Sequence, residues 1–233
     1  MQIFYTTDIQ GDTAELPEGE ARHCVQVLRH RAGDVVRFID GQGGLYEGRI
    51  TEAGKKRCQL QILHRETGPA RPFRIHLAVA PTKNMNRMEW LLEKATELGF
   101  DTFTPLLCQH SERRALKKER LEKVVLAAAK QSVKPQLPEL RGLQRFPDFL
   151  ASLPEEEQWL MAYLGEGVKG SLKQNYQPGR DVCLMVGPEG GFSPQEASAA
   201  ARAGVTLASL GNSRLRTETA ALTACHAIHL INE

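Results

Sequence analysis

"GPEGGFSPQE", residues 187 to 196, is the stretch on which the fold turns. It follows CLMV (183 to 186), a short apolar run bounded by turn residues, which has the length and character of a buried strand. Ser193, Pro194 and Glu196 then spell a helix start. The serine hydroxyl caps N–H groups that lack an intrahelical partner, the proline fits the first helical position, and the glutamate reaches back to the cap. Between strand and helix stand Gly187, Gly190 and Gly191, residues that tolerate left-handed backbone angles and let a ligand approach the main chain closely. Open α/β sheets bind ligands in the crevice beyond their strand ends, which is where this loop falls. Taken alone, the loop is also compatible with an ordinary strand-to-helix turn.

Working outward, strands and helices alternate on both sides. FRIHLAVA, NRMEWLLEKATELG, TFTPLLC and KKERLEKVVLAAAKQSV precede the loop, followed by QWLMAY; SPQEASAAARAG, VTLASLG and TETAALTACHAIHLI come after it. Gly99 and Gly204 stand where left-handed C-terminal caps belong. This rhythm predicts a mostly parallel sheet covered by helices. A second loop, LGNSRLRTET (210 to 219), repeats the first: it leaves an apolar strand and opens a helix, with Thr217 as candidate cap and Glu218 in the positive first turn. A third strand end carries Leu164 and Gly165. Upstream, QIFY, DVVRFID, GLYEGRI and CQLQILH alternate and are rich in β-formers, and EGEARHCVQVLR (18 to 29) is the one helical stretch among them. ETGPARP (66 to 72) reads as a linker.

Bulk properties narrow the class. The chain has 233 residues, net charge +2, 41% hydrophobic and 25% charged residues, as expected of a globular protein. Five scattered cysteines without a C-x-x-C pair argue against a disulfide framework or a zinc ribbon and suit a reducing cytoplasm. No run is long and apolar enough to suggest a membrane span. Charge is unevenly placed: residues 108 to 145 hold ten Lys or Arg against four Asp or Glu. Such an island is an electrostatic footprint for phosphate backbones, or simply a solvated helix face. His226 and His229 lie three apart on the last helix without a third ligand, so no metal site is expected. Trp90 and Trp159 sit in apolar segments and are expected in the core.

The loops spell neither G-x-G-x-x-G nor G-x-x-x-x-G-K-[ST], so the backbone cradle for a pyrophosphate or triphosphate is missing. A ligand with a neutral base and ribose, held by main-chain groups against Leu and Met, is more compatible, and S-adenosylmethionine is such a ligand. Its sulfonium loses its charge as the methyl leaves, so a pocket of low polarity favours the transition state.

GPEGGFS together with LGNSRLRTETA resembles the paired C-terminal signature of the SPOUT-class 16S rRNA uridine-N3 methyltransferases, the RsmE family. HCVQVLRHRAGD (23 to 34) resembles that family's H-x-x-x-V-L-R-x-x-x-G-D stretch, and MEWLLEKATELG followed by TPLLCQHSERR resembles its middle. The resemblance implies a PUA-like RNA-binding β-barrel over residues 1–70 and a SPOUT-type α/β methyltransferase domain over 73–233, with a mostly parallel sheet and a C-terminal trefoil knot. From first principles an unknotted sheet is expected. It also implies a homodimer acting on 16S rRNA within the 30S subunit, with no membrane or metal requirement.

Residue roles follow from the same resemblance. S-adenosylmethionine is expected against Leu164, Gly165, Gly187, Pro188, Glu189, Gly190, Gly191, Leu210, Gly211 and Leu215. Methylating N3 of uracil requires removal of its proton and stabilisation of charge on O2 and O4. Arg216 is the candidate for the charge, and Glu218 and Glu189 are the candidate bases, each with a plain structural alternative as helix-start or loop-bonding carboxylate. RNA engagement falls on His23, Arg29, Lys55, Lys56 and Arg57 in the barrel, and on Lys83, Arg87, Arg113 and Arg114 beyond it. His23 reads equally as a core residue. Where the family usually shows Glu-Gln-x-x-Arg on one helix, this chain has Lys130, Gln131 and Lys134, and lysine lacks arginine's planar fork. Two rival readings remain at this stage: an RNA-binding module with vestigial loops, and an unrelated α/β enzyme acting on a small nucleotide.

Overall fold

The computed structural model describes residues 2–154 and 157–233. The chain forms two compact units: the stretch up to Ala70 together with Leu126–Leu137, and Arg71–Val125 together with Pro138–Glu233.

In the first unit, β1 (Ile3–Tyr5), β2 (Ile9–Gln10), β3 (Thr13–Leu16), β4 (Val35–Ile39), β5 (Gly44–Ala53) and β6 (Cys58–Thr67) make one sheet in the order β1-β4-β5-β6-β3-β2. All neighbours are antiparallel except β1 and β4. Alternate residues point inward, so Val36, Phe38, Ile50, Leu60 and Ile62 meet Phe4 and Leu16 in one core. Register shifts at Glu47/Gly48 and Ile50/Glu52 bend the long β5–β6 ribbon. The helical stretch foreseen over 18 to 29 is shorter than expected. α1 (Glu18–Arg22) widens into a π-type turn over His23–Val27, where the Leu28 N–H reaches the His23 carbonyl at 3.0 Å. Arg29, at φ 63°, then turns the chain away.

The second unit holds β7 (Ile75–Val79), α2 (Met85–Leu98), β8 (Thr102–Leu107), α3 (Lys118–Ser132), β9 (Glu139–Leu140), β10 (Gln144–Arg145) and α4 (Phe146–Leu150). It continues with β11 (Gln158–Ala162), α5 (Leu172–Asn175), β12 (Val182–Val186), α6 (Pro194–Arg202), β13 (Thr206–Ala208) and α7 (Thr217–Asn232). α3 begins in this unit, and its last residues belong to the first. The sheet is parallel throughout, in the order β10-β8-β7-β12-β11-β13, with β9 also on β8. β7 and β12 are buried along their whole length, which explains their unbroken apolar runs. Gly99 (φ 103°) and Gly204 (φ 88°) close α2 and α6 in the left-handed region, as foreseen.

Strand order and register position the site. Ala162 of β11 pairs with Val186 of β12 and with Ala208 of β13, so three adjacent strands end level with one another. The chain segments that leave them therefore emerge side by side. Among the described residues, no helix is long and apolar enough to cross a membrane.

Candidate active site

At those three strand ends lies a cavity of about 340 Å³, within the usual range for small-ligand sites. Its wall includes Leu164 and Gly165 from the first segment, Gly187, Pro188, Glu189, Gly190 and Gly191 from the second, and Leu210, Gly211 and Leu215 from the third. All ten residues expected around the ligand thus line one space. Beyond those ten, the wall is completed by Ala162 and Val186 at the strand ends and by Tyr163, Phe192, Ser213, Arg214, Thr217 and Ala220. Tyr163 could have been found as the last residue of the QWLMAY strand, where the next side chain faces the strand end.

Local chemistry builds each segment. The Ser193 hydroxyl accepts the Glu196 N–H at 3.2 Å while Glu196 Oε2 accepts the Ser193 N–H at 2.8 Å, with Pro194 in the first turn, so the foreseen capping box starts α6. A side-chain carbon on Gly187 would fall 2.9 Å from the Phe192 nitrogen and 3.1 Å from the Gly191 carbonyl carbon, so the loop closes on itself only because that position is bare. Gly211, at φ 116°, faces open space and keeps the third segment's main chain accessible. Hydrogen bonds join the first and third segments: Tyr163 N–H to Ala208 O, Lys169 N–H to Leu207 O, and Ser209 N–H to Gly170 O. Thr217 does not cap α7 as expected. Arg216, with extended angles (φ −73°, ψ 157°), occupies the cap position, and the Thr217 hydroxyl donates instead to the Gly187 carbonyl at 3.0 Å. That bond ties the two glycine loops together inside the protein.

Charged groups are few and unequal. Arg214 lies in the wall, whereas Arg216 is exposed and outside it. Glu189 is in the wall; its Oε1 accepts the Lys83 N–H at 2.9 Å. Glu218 is outside the wall and only 6% exposed; its Oε1 lies 3.6 Å from Arg87 Nε, and its buried Oε2 has no hydrogen-bond partner. A chamber that mixes apolar side chains with glycine peptides, one wall carboxylate and one wall guanidinium suits a largely uncharged ligand with a reacting polar group, and the bare glycines fit a base and ribose.

Comparison with known proteins follows the same division of the chain. Residues 69–229 match a family described as an RNA methyltransferase domain, and residues 16–63 match the RNA methyltransferase PUA domain. The ribosomal RNA small subunit methyltransferase E of Aquifex aeolicus is 31% identical, over 96% of this chain and 96% of its own. The chain belongs to the ribosomal RNA small subunit methyltransferase E family. Two solved structures are similar over nearly the full length. A probable rRNA-methyltransferase of Porphyromonas gingivalis has TM-score 0.92 and 42% identity, covering 100% of this chain and 98% of that one. The methyltransferase E of Neisseria gonorrhoeae, bound to S-adenosyl methionine, has TM-score 0.89 and 31% identity, covering 99% and 97%.

Within this methyltransferase fold, the cations foreseen as RNA contacts divide into free and engaged. Arg29, Lys55, Lys56 and Arg114 are exposed. His23 is half-buried, its ring edge-on to Phe4. Arg57 pairs with Glu15 at 2.8 Å, and Lys83 with Glu112 at 2.8 Å, which raises the lysine's pKa. Arg87 faces Glu218, and Arg113 donates to the carbonyls of Thr82 (3.2 Å) and Lys83 (2.6 Å). Lys130 donates to Glu20 at 2.6 Å, so in this chain the departure from the family pattern has its own carboxylate partner. Trp90 is 43% exposed, contrary to its expected core position, because it faces outward on α2. Trp159 is half-buried and donates to the Pro154 carbonyl. Among the described residues, no group of three or more His, Cys, Asp or Glu is arranged to hold a metal ion.

Proposed function

We propose that this chain transfers the methyl group of S-adenosylmethionine to N3 of one uridine in 16S rRNA of the 30S subunit, acting as a homodimer in the cytoplasm. The observation that carries the reading is the single cavity into which three level strand ends deliver all ten expected wall residues. S-adenosylmethionine, when bound, supplies the methyl group as an electrophile whose positive charge vanishes on transfer.

The chain's own residues do the rest. Val186, Leu210, Leu215 and Phe192 give the chamber its apolar wall, and the glycine peptides present main-chain donors and acceptors without side chains in the way. Glu189 is the carboxylate in the wall. With Oε1 held by the Lys83 N–H, its other oxygen is left to take the N3 proton. Arg214, in the same wall, is placed to stabilise charge on the uracil oxygens, the role first assigned to Arg216. Glu218 holds the start of α7 and pairs with Arg87. Alignment of methyl and N3 provides much of the acceleration. Arg29, Lys55 and Lys56 in the RNA-binding domain over 1–70, and Arg114 in the domain over 73–233, bind the RNA backbone. The trefoil knot implied by the family resemblance is part of this proposal.

The test is to incubate the protein and methyl-labelled S-adenosylmethionine with unmodified 30S particles and with naked 16S rRNA, then map the labelled nucleoside. Label on N3 of a single uridine is expected. Label on another atom or on free nucleotides, or none on either RNA, refutes the proposal.

A further inference from the structure

The turn after β8 reaches the cofactor loop through one side chain. His110 Nδ1 lies 3.2 Å from the Gly190 carbonyl and 3.1 Å from the Gly191 carbonyl. Carbonyl oxygens only accept, so Nδ1 carries the hydrogen and donates to both. The turn that bears the ring is itself anchored. The Gln109 N–H donates to Glu196 Oε1 at 2.8 Å, and the Cys108 N–H to Ser111 Oγ at 3.0 Å.

The loop answers this contact in its composition. A side-chain carbon on Gly190 would sit 3.0 Å from His110 Cβ and 3.4 Å from its Cγ, pointing at the imidazole rather than into the cavity. Gly190 is not in the left-handed region, so its bareness serves the close approach of the ring and not a backbone angle. Gly191, at φ 71°, turns the next carbonyl toward the same donor. In a trans peptide the C=O and the following N–H point opposite ways, so holding these two carbonyls also sets the Gly191 and Phe192 amides. The first of these donates to the Pro188 carbonyl at 2.8 Å and closes the turn. His110 itself is not part of the cavity wall.

We infer that His110 is a positioning residue for the methyl donor: by donating to Gly190 and Gly191 it holds the 187–191 loop in its binding shape. This rests on the cavity being the S-adenosylmethionine site. The sequence offered only a histidine at the edge of a basic island, with no hint that it faces a loop 80 residues away.

The experiment is isothermal titration of S-adenosylmethionine into the wild-type chain and into His110→Ala, His110→Phe, His110→Asn and Gly190→Ala. Steady-state rates on unmodified 30S particles and thermal unfolding accompany it. His110→Ala and His110→Phe should weaken Kd, and raise the cofactor KM, about five- to tenfold, as loss of one donor implies, with kcat changed less than about threefold. His110→Asn, which retains a donor close to the backbone, should return Kd to within about twofold of wild type. Gly190→Ala should resemble His110→Ala, and the double variant should be no weaker than either single one, because both remove the same contact. Wild-type Kd in His110→Ala overturns the inference, as does His110→Asn binding as weakly as His110→Phe. A wild-type chain that binds no S-adenosylmethionine refutes the reading of the cavity instead, and this inference with it.

Discussion

The two arginines of the third segment separate a structural argument from a motif argument. Arg214 lines the cavity, while Arg216 stands at the N-cap position of α7 with an exposed side chain outside it. If charge develops on the uracil oxygens, Arg214 is the cation that meets it. A donor in a fully dry oxyanion site contributes about 2.7–4 kcal/mol, but Arg214 is exposed to water, so the lower figure for hydrogen bonds to charged groups, about 2 kcal/mol, applies. At 1.36 kcal/mol per factor of ten, Arg214→Ala should lower kcat about 30-fold. Arg214→Lys keeps the charge and loses the planar fork, and should fall between the two. Arg216→Ala should stay within about twofold of wild type, as surface changes usually do. The assay is single-turnover methyl transfer to unmodified 30S particles at saturating S-adenosylmethionine. Running it at two salt concentrations removes any general loss of RNA affinity. A tenfold or larger loss in Arg216→Ala beside a near-normal Arg214→Ala would return the role to Arg216.

The carboxylates are separable in the same assay. Glu189→Gln keeps an oxygen for the Lys83 N–H but loses the proton acceptor, so turnover should drop about 100-fold. Glu218→Gln should change turnover less than about threefold and lower stability by up to about 1 kcal/mol through the helix start; the reverse pattern makes Glu218 the base. Thr217→Val leaves the Gly187 carbonyl unpartnered inside the protein, and urea unfolding should show a loss of about 1–3 kcal/mol. An unchanged midpoint would mean that the two glycine loops are not joined there. His76 is held neutral by burial, its pKa pushed down to about 4 from 6.5. Between those values the unfolded chain binds a proton that the folded chain refuses, so stability falls as pH drops from 6.5 toward 4, by about 2 kcal/mol at pH 5. His76→Leu should remove that part of the acid dependence, and an identical pH profile in the variant would show that His76 does not titrate this way.

Legibility in the sequence tracked how local the physics is. Ser193, Pro194 and Glu196 form a cap from four consecutive residues, so α6 could be read directly. The unbroken apolar runs of β7 and β12 announced strands buried on both faces. The short strands β2, β3, β9 and β10 span two to four residues and are made by their partners, leaving no period to detect. The wall glycines were legible because a bare backbone is required wherever it occurs. Side chains whose role depends on a distant partner were not. Membership of a basic island does not announce the bonds from Arg113 to the Thr82 and Lys83 carbonyls, and Thr217 looks like a cap until Gly187 accepts its hydroxyl. Both join segments that leave strand ends of one sheet. A parallel sheet brings such ends level, and beyond them main-chain bonds such as Ser209 N–H to Gly170 O are joined by side-chain bonds between loops. In this chain Arg113, Thr217, Glu189 and His110 supply the stitches, and residues that a motif would assign to chemistry or RNA are first needed to hold the chamber's shape.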